Sequence, residues 1–98
     1  MKRSTVVVPW REGLHLRPAA KLIKVAQQFR SSISLSTAKG VADLRSILSI
    51  VALCATMGTP IDIEASGEDE QDAAQAIEQV FSANGNSDSA GPAPRGMP

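Results

Sequence analysis

Two stretches alternate apolar and polar residues one for one: Ser32-Ile33-Ser34-Leu35-Ser36 and Ile61-Asp62-Ile63-Glu64-Ala65. Side chains along a strand point to opposite faces in turn, so each of these strands buries one face only. Two further strand candidates are short. Thr5 to Val8 is β-branched and is stopped by Pro9. Val41 to Leu44 returns from Ser32–Thr37 over the tight turn Ala38-Lys39-Gly40. A sheet with one wet face carries its helices on the other face alone. This pattern constrains the fold more than any other feature of the chain.

Three helices fill the gaps between the strands. The first is expected from Leu16 to about Gln28, with Ala19, Leu22, Ile23, Ala26 and Phe29 inward and Lys21, Lys24, Gln27 and Gln28 outward. Ser46 caps a second, from Ile47 to about Thr56, with Gly58 left-handed at its end. Glu68, Asp69 and Glu70 open a third, their carboxylates favouring the helix dipole. It runs to about Ser82, with Ala73, Ala76 or Ile77, Val80 and Phe81 inward, and Asn84-Gly85 ends it. The order β-α-β-β-α-β-α predicts an α+β two-layer sandwich. No internal repeat is visible.

At 98 residues and 43% hydrophobic, the chain suffices for one small core. A single domain over residues 1–84 is expected, followed by a disordered tail over 85–98 built of Asn, Ser, Gly, Pro and Ala with little else. Ten basic and ten acidic residues cancel, and three aromatics offer no stacking platform, so nucleic-acid binding is not expected. The basic residues gather in the first half and the acidic ones in the second. That asymmetry suits a basic face around His15 and Arg17, and an acidic partner. The single cysteine, Cys54, excludes an internal disulfide and a cysteine-based metal site, and its apolar surroundings predict a buried thiol. With no signal peptide and no membrane-spanning run, the expectation is a cytoplasmic protein without membrane insertion. Nothing calls for a cofactor.

The chemistry concentrates in Gly13-Leu14-His15-Leu16-Arg17-Pro18-Ala19-Ala20, which holds the only histidine. Pro18 belongs in a first helical turn, where a missing N–H costs nothing. His15 therefore lies at or beside the N-cap, before the free N–H groups and the positive end of the helix dipole. Such a place suits an anion, above all a phosphoryl group. Arg17 adds a planar fork for phosphate oxygens, and imidazole is a good nucleophile near neutral pH. A lone histidine at a helix start is ordinarily just a surface residue. The anion-ready surroundings and Arg17 narrow that preference for a plain surface residue without reversing it.

This stretch closely resembles the GLHARPA signature of HPr, the histidine-containing phosphocarrier family of the bacterial phosphoenolpyruvate-dependent sugar phosphotransferase system. Arg45-Ser46-Ile47-Leu48 resembles the family's regulatory-serine segment, and Ala65-Ser66-Gly67-Glu68-Asp69-Glu70 the approach to its last helix. The spacings fit, so the resemblance spans Thr5 to about Phe81. It implies an open-faced sandwich with a four-stranded antiparallel sheet and three helices on one face. It also implies a carrier, not a stand-alone enzyme, that takes a phosphoryl group on Nδ1 of His15 from phosphorylated enzyme I. The recipient would be a sugar-specific or regulatory protein. Arg17 and the backbone N–H groups of Leu16 and Arg17 would hold the phosphate. Ser46, a favoured N-cap worth about 1 kcal/mol over alanine, would also be the target of a serine kinase. Ile47 and Leu48 would form a docking patch, and a monomer is the simplest form.

Three residues depart from the family pattern. Leu16 replaces a small residue beside the histidine. Trp10 lies in the loop, either as a partner contact or as its cover. Glu12 places a carboxylate close to His15, which would repel a bound phosphoryl group unless Arg11 offsets it. They keep a second reading open: an interaction protein of the same fold that docks through the Ser46 helix and leaves His15 unused.

Overall fold

The computed structural model describes residues 1–83; the expected tail over 85–98 lies outside them. Four strands, β1 (Lys2–Val7), β2 (Ser32–Thr37), β3 (Gly40–Asp43) and β4 (Pro60–Ser66), alternate with α1 (Leu16–Ala26), α2 (Ile47–Ala52) and α3 (Glu70–Ala83) in the expected order. The sheet order is β1-β4-β2-β3 and every neighbour is antiparallel. The three helices cover one face.

The alternation in the sequence explains which face that is. Ile33 and Leu35 of β2, Ala42 of β3, and Ile61, Ile63 and Ala65 of β4 are all buried under the helices. Leu22 of α1, Ile50 of α2 and Ile77 of α3 meet them, each with no exposed surface. The opposite face is polar and ties its strands together sideways. Thr5 donates to Asp62 at 2.7 Å, and Arg3 pairs with Glu64; both couples stand opposite each other in the β1–β4 register. These cross-strand pairs carry β1 back to Lys2, beyond the β-branched run that marked it in the sequence.

Helix α2 is shorter than its apolar run suggested. It stops at Ala52, and the N–H groups of Leu53 and Cys54 turn back to the carbonyls of Ile50 and Val51, three residues earlier, tightening the last turn. Cys54 then takes a left-handed φ of 51°. That turn points its side chain outward, so the cysteine is exposed and not buried. Gly58 is left-handed as expected, but in the next turn and not at the helix end.

The acidic approach to α3 also works differently from the expectation. Helix α3 begins at Glu70, with Glu70 and Asp72 in its first turn, and Asp69 stands just before it. The Asp69 carboxylate accepts the Arg30 N–H at 2.9 Å, the Ser31 N–H at 2.9 Å and the Ser31 hydroxyl at 2.5 Å. The corner between α1 and β2 is thereby pinned to the start of α3. The Ser31 hydroxyl, then the Arg30 N–H, hold the Asp69 carboxyl below the usual aspartate range. A carboxylate depressed on folding stabilises the fold fully above its unfolded value, near 3.8, and loses that contribution as pH falls through the lower folded value. Urea midpoints should therefore separate wild type from Asp69→Asn at neutral pH, with wild type the more stable. The gap should close steadily as the pH is taken below 3.8.

Candidate functional site

The loop from Pro9 to Leu14 is built by three backbone hydrogen bonds. Gly13 N–H donates to the Trp10 carbonyl at 2.9 Å, closing a turn, and His15 N–H donates to the Gly13 carbonyl at 3.0 Å. Leu14 N–H donates across to the Ala55 carbonyl at 2.9 Å, and the Leu14 side chain is buried. Gly13 is obligatory at this crossing. Its φ is +79°, and a Cβ there would stand 2.5 Å from the Ala55 carbonyl oxygen. The segment after α2 thus forms the floor under the loop. Trp10 covers the other side, its ring 5.1 Å from that of Phe81 and tilted by 40°. It packs against the core, which matches the covering role.

His15 is the N-cap of α1, with extended backbone (φ −104°, ψ −165°) and no side-chain cap bond. Its carbonyl accepts the Ala19 N–H at 3.1 Å. The N–H groups of Leu16 and Arg17 precede the helical ladder and face the histidine's end of the helix. Pro18 is buried in the first turn, as its ring chemistry requires. Arg17, Lys21 and Lys24 are exposed at helical spacing, forming a basic face along α1. The Leu16 side chain is 62% exposed, so it lies on the surface beside the histidine and not in the core.

The imidazole is 35% exposed. Its Nε2 lies 2.9 Å from Glu12 Oε1, three residues earlier. Its Nδ1 is covered from solvent and has no hydrogen-bond partner among the described residues. Glu12 therefore approaches one specific edge of the ring, a direction that sequence spacing alone could not give.

The Ser46 segment is a half-buried helix start. Ser46 Oγ accepts the Ser49 N–H at 3.3 Å and the Ser49 hydroxyl at 3.1 Å, the expected capping. Leu48 is 75% exposed, whereas Ile47 packs against the core. Of the two docking candidates, only Leu48 presents most of its side chain to solvent. Helix α2 packs against α1, so the Ser46 helix and the histidine's helix share one side of the molecule. Met57, 60% exposed, follows α2 in the segment that underlies the loop. Among the described residues, no group of three or more His, Cys, Asp or Glu side chains could hold a metal ion. Among the described residues, no helix is long and apolar enough to cross a membrane.

Fold and loop together define a small open-faced α+β sandwich with a single histidine at a helix start. Residues 2–83 match a family model described as the phosphotransferase system HPr component phosphorylation site. The phosphocarrier protein HPr of Xylella fastidiosa is 35% identical over 88 residues, covering 90% of this chain and 99% of that protein. The phosphocarrier protein NPr of Proteus mirabilis is 40% identical over 77 residues, covering 78% of this chain and 86% of the relative. The crystal structure of HPr from Thermoanaerobacter tengcongensis superposes with a TM-score of 0.80 at 30% identity, over 85% of this chain and 93% of that one. The chain belongs to the HPr family of phosphocarriers.

Proposed function

We propose that this chain is a phosphocarrier that accepts a phosphoryl group on Nδ1 of His15 from phosphorylated enzyme I. It hands the group on to a sugar-specific or regulatory acceptor. The observation that carries the reading is the placement of His15 as N-cap of α1, next to the unbonded N–H groups of Leu16 and Arg17. An Nδ1 lone pair forms the new N–P bond while the donor's P–N bond breaks and returns its electron pair to the donor nitrogen. The two N–H groups, the helix dipole and the Arg17 guanidinium stabilise the phosphate oxygens. Holding them modestly keeps the group transferable.

Docking of an acidic partner is supported by the basic face of Arg17, Lys21 and Lys24, with exposed Leu16 and Leu48 supplying apolar contact. Ile47, half-buried against the core, borders the same patch. Ser46 is the proposed target of a serine kinase, where phosphate would alter this same side of the molecule. The carrier acts as a cytoplasmic monomer, and its similarity to both HPr and NPr proteins makes sugar and regulatory recipients equally admissible.

Incubation with phosphoenolpyruvate and the cognate enzyme I, followed by intact-mass measurement, tests the proposal. The expected result is an acid-labile gain of one phosphoryl group. No gain with a demonstrably active cognate enzyme would overturn it and turn attention to docking through the Ser46 helix.

A further inference from the structure

We infer that Glu12 is a positioning residue for His15, holding the proton on Nε2 so that the lone pair stands on Nδ1. The inference rests on the phosphocarrier reading for its consequence, but its geometric core stands alone. An ionised carboxylate can only accept hydrogen bonds. The 2.9 Å contact between His15 Nε2 and Glu12 Oε1 therefore requires the N–H on Nε2. In the neutral ring the other nitrogen then keeps its lone pair, and Nδ1 is the nitrogen without a hydrogen-bond partner among the described residues. A buried polar atom left unpaired is costly and uncommon. Here it is the atom that a nucleophilic ring would need to keep free.

The same contact serves the ring after transfer. When Nδ1 gains phosphorus with Nε2 still protonated, the imidazole carries one positive charge. The Glu12 carboxylate lies against that charge, as a carboxylate behind a catalytic histidine does elsewhere. Loss of the Nε2 proton would leave a neutral phosphoimidazole, whose ring is a poorer leaving group. By favouring the proton, Glu12 keeps the phosphoryl group transferable. Repulsion between Glu12 and the phosphate opposes this, but the two groups attach to different nitrogens, and the N–H groups of Leu16 and Arg17 face the phosphate. Since Nδ1 is covered, the ring or the groups that cover it must move before a donor reaches it. Glu12, 76% exposed on a flexible stem, is free to follow the ring.

Nitrogen-15 NMR of the imidazole in unphosphorylated protein tests the geometry without any transfer. Wild type should show a slowly exchanging, hydrogen-bonded Nε2–H with an unprotonated Nδ1 once the ring is neutral. Glu12→Ala should lose that protection, and Glu12→Gln should keep part of it. Both variants should melt like wild type because the side chain is exposed. The uptake rate from phosphorylated enzyme I should fall about three- to fivefold in Glu12→Ala, the scale of an exposed charge pair, with Glu12→Gln between. An unchanged ring signature in Glu12→Ala, or uptake as fast as or faster than wild type, would overturn the inference. Absence of uptake in every protein, wild type included, would overturn the phosphocarrier reading instead, with the NMR comparison still deciding the role of Glu12.

Discussion

His15→Ala is expected to take up no phosphoryl group under conditions that load wild type completely, while its fold stays intact. The functional loss is total because the chain has no second histidine to substitute for it. The structural loss is small for three reasons. The imidazole makes no cap bond, so α1 loses no side-chain support at its start. Its helical hydrogen bond comes from the backbone carbonyl, which alanine retains. Its one side-chain hydrogen bond among the described residues is to Glu12, which is 76% exposed. A stability change within about 0.5 kcal/mol is expected for such a site, or a Tm shift of roughly 2–4 °C. Intact mass and thermal melting on the same preparation separate the two effects. Phosphorylation surviving in the variant would place the acceptor elsewhere.

Gly13→Ala should do the reverse, damaging the fold and the site together. A φ of +79° costs an alanine about 1–2 kcal/mol. The new methyl would also stand 2.5 Å from a backbone oxygen that cannot swing aside like a side chain. Overpacking of that kind adds about 1–3 kcal/mol. The total of about 2–5 kcal/mol compares with a stability of about 4–12 kcal/mol for a domain of this size. The loop must lift from Ala55 to relieve the contact, weakening the Leu14 hydrogen bond and shifting His15, so uptake should fall at least about tenfold. Gly58→Ala is the control. Its φ is +89°, but nothing lies within 4 Å of the added carbon, so it bears the conformational cost alone. Urea unfolding of both variants isolates the contact with Ala55. Equal losses would show that the crossing does not constrain the loop.

The layered fold was legible because Ser32–Thr37 and Ile61–Ala65 alternate so regularly that the buried face of the sheet follows from period alone. The helix faces followed nearly as well, with the choice between Ala76 and Ile77 left open and decided by the structure, which buries Ile77. The end of α2 did not follow. Its apolar run continues past Ala52, and tertiary packing, not propensity, decides where the chain turns; Cys54 leaves the core there with no local signal. Asp69 was read as a dipole partner because Glu-Asp-Glu resembles any acidic helix start, whereas its partners, Arg30 and Ser31, lie about forty residues earlier. The same distance effect hid the floor of the loop. The motif around His15 gave the N-cap position and Pro18 in the first turn, but Ala55 and Phe81 meet the loop only in three dimensions. Glu12 was visible as a nearby charge; the ring nitrogen it meets was not.

The strand order has a consequence for how the site comes into being. Lys2 stands opposite Ala65 and Val7 opposite Pro60, so the first strand pairs with the last. Closing a chain segment of that length costs roughly 3–4 kcal/mol of entropy before any ladder bond repays it. Pairings so distant along the chain form late and slow the reaction. The β2–β3 hairpin and the helices can gather first, while the histidine loop waits between a strand and a helix that are not yet docked. On the ribosome, β1 emerges first and remains without its partner until β4 has cleared the exit tunnel. The loop that carries His15 therefore takes its place only when nearly the whole sandwich has been synthesised, and a chain interrupted before β4 leaves β1 unpaired.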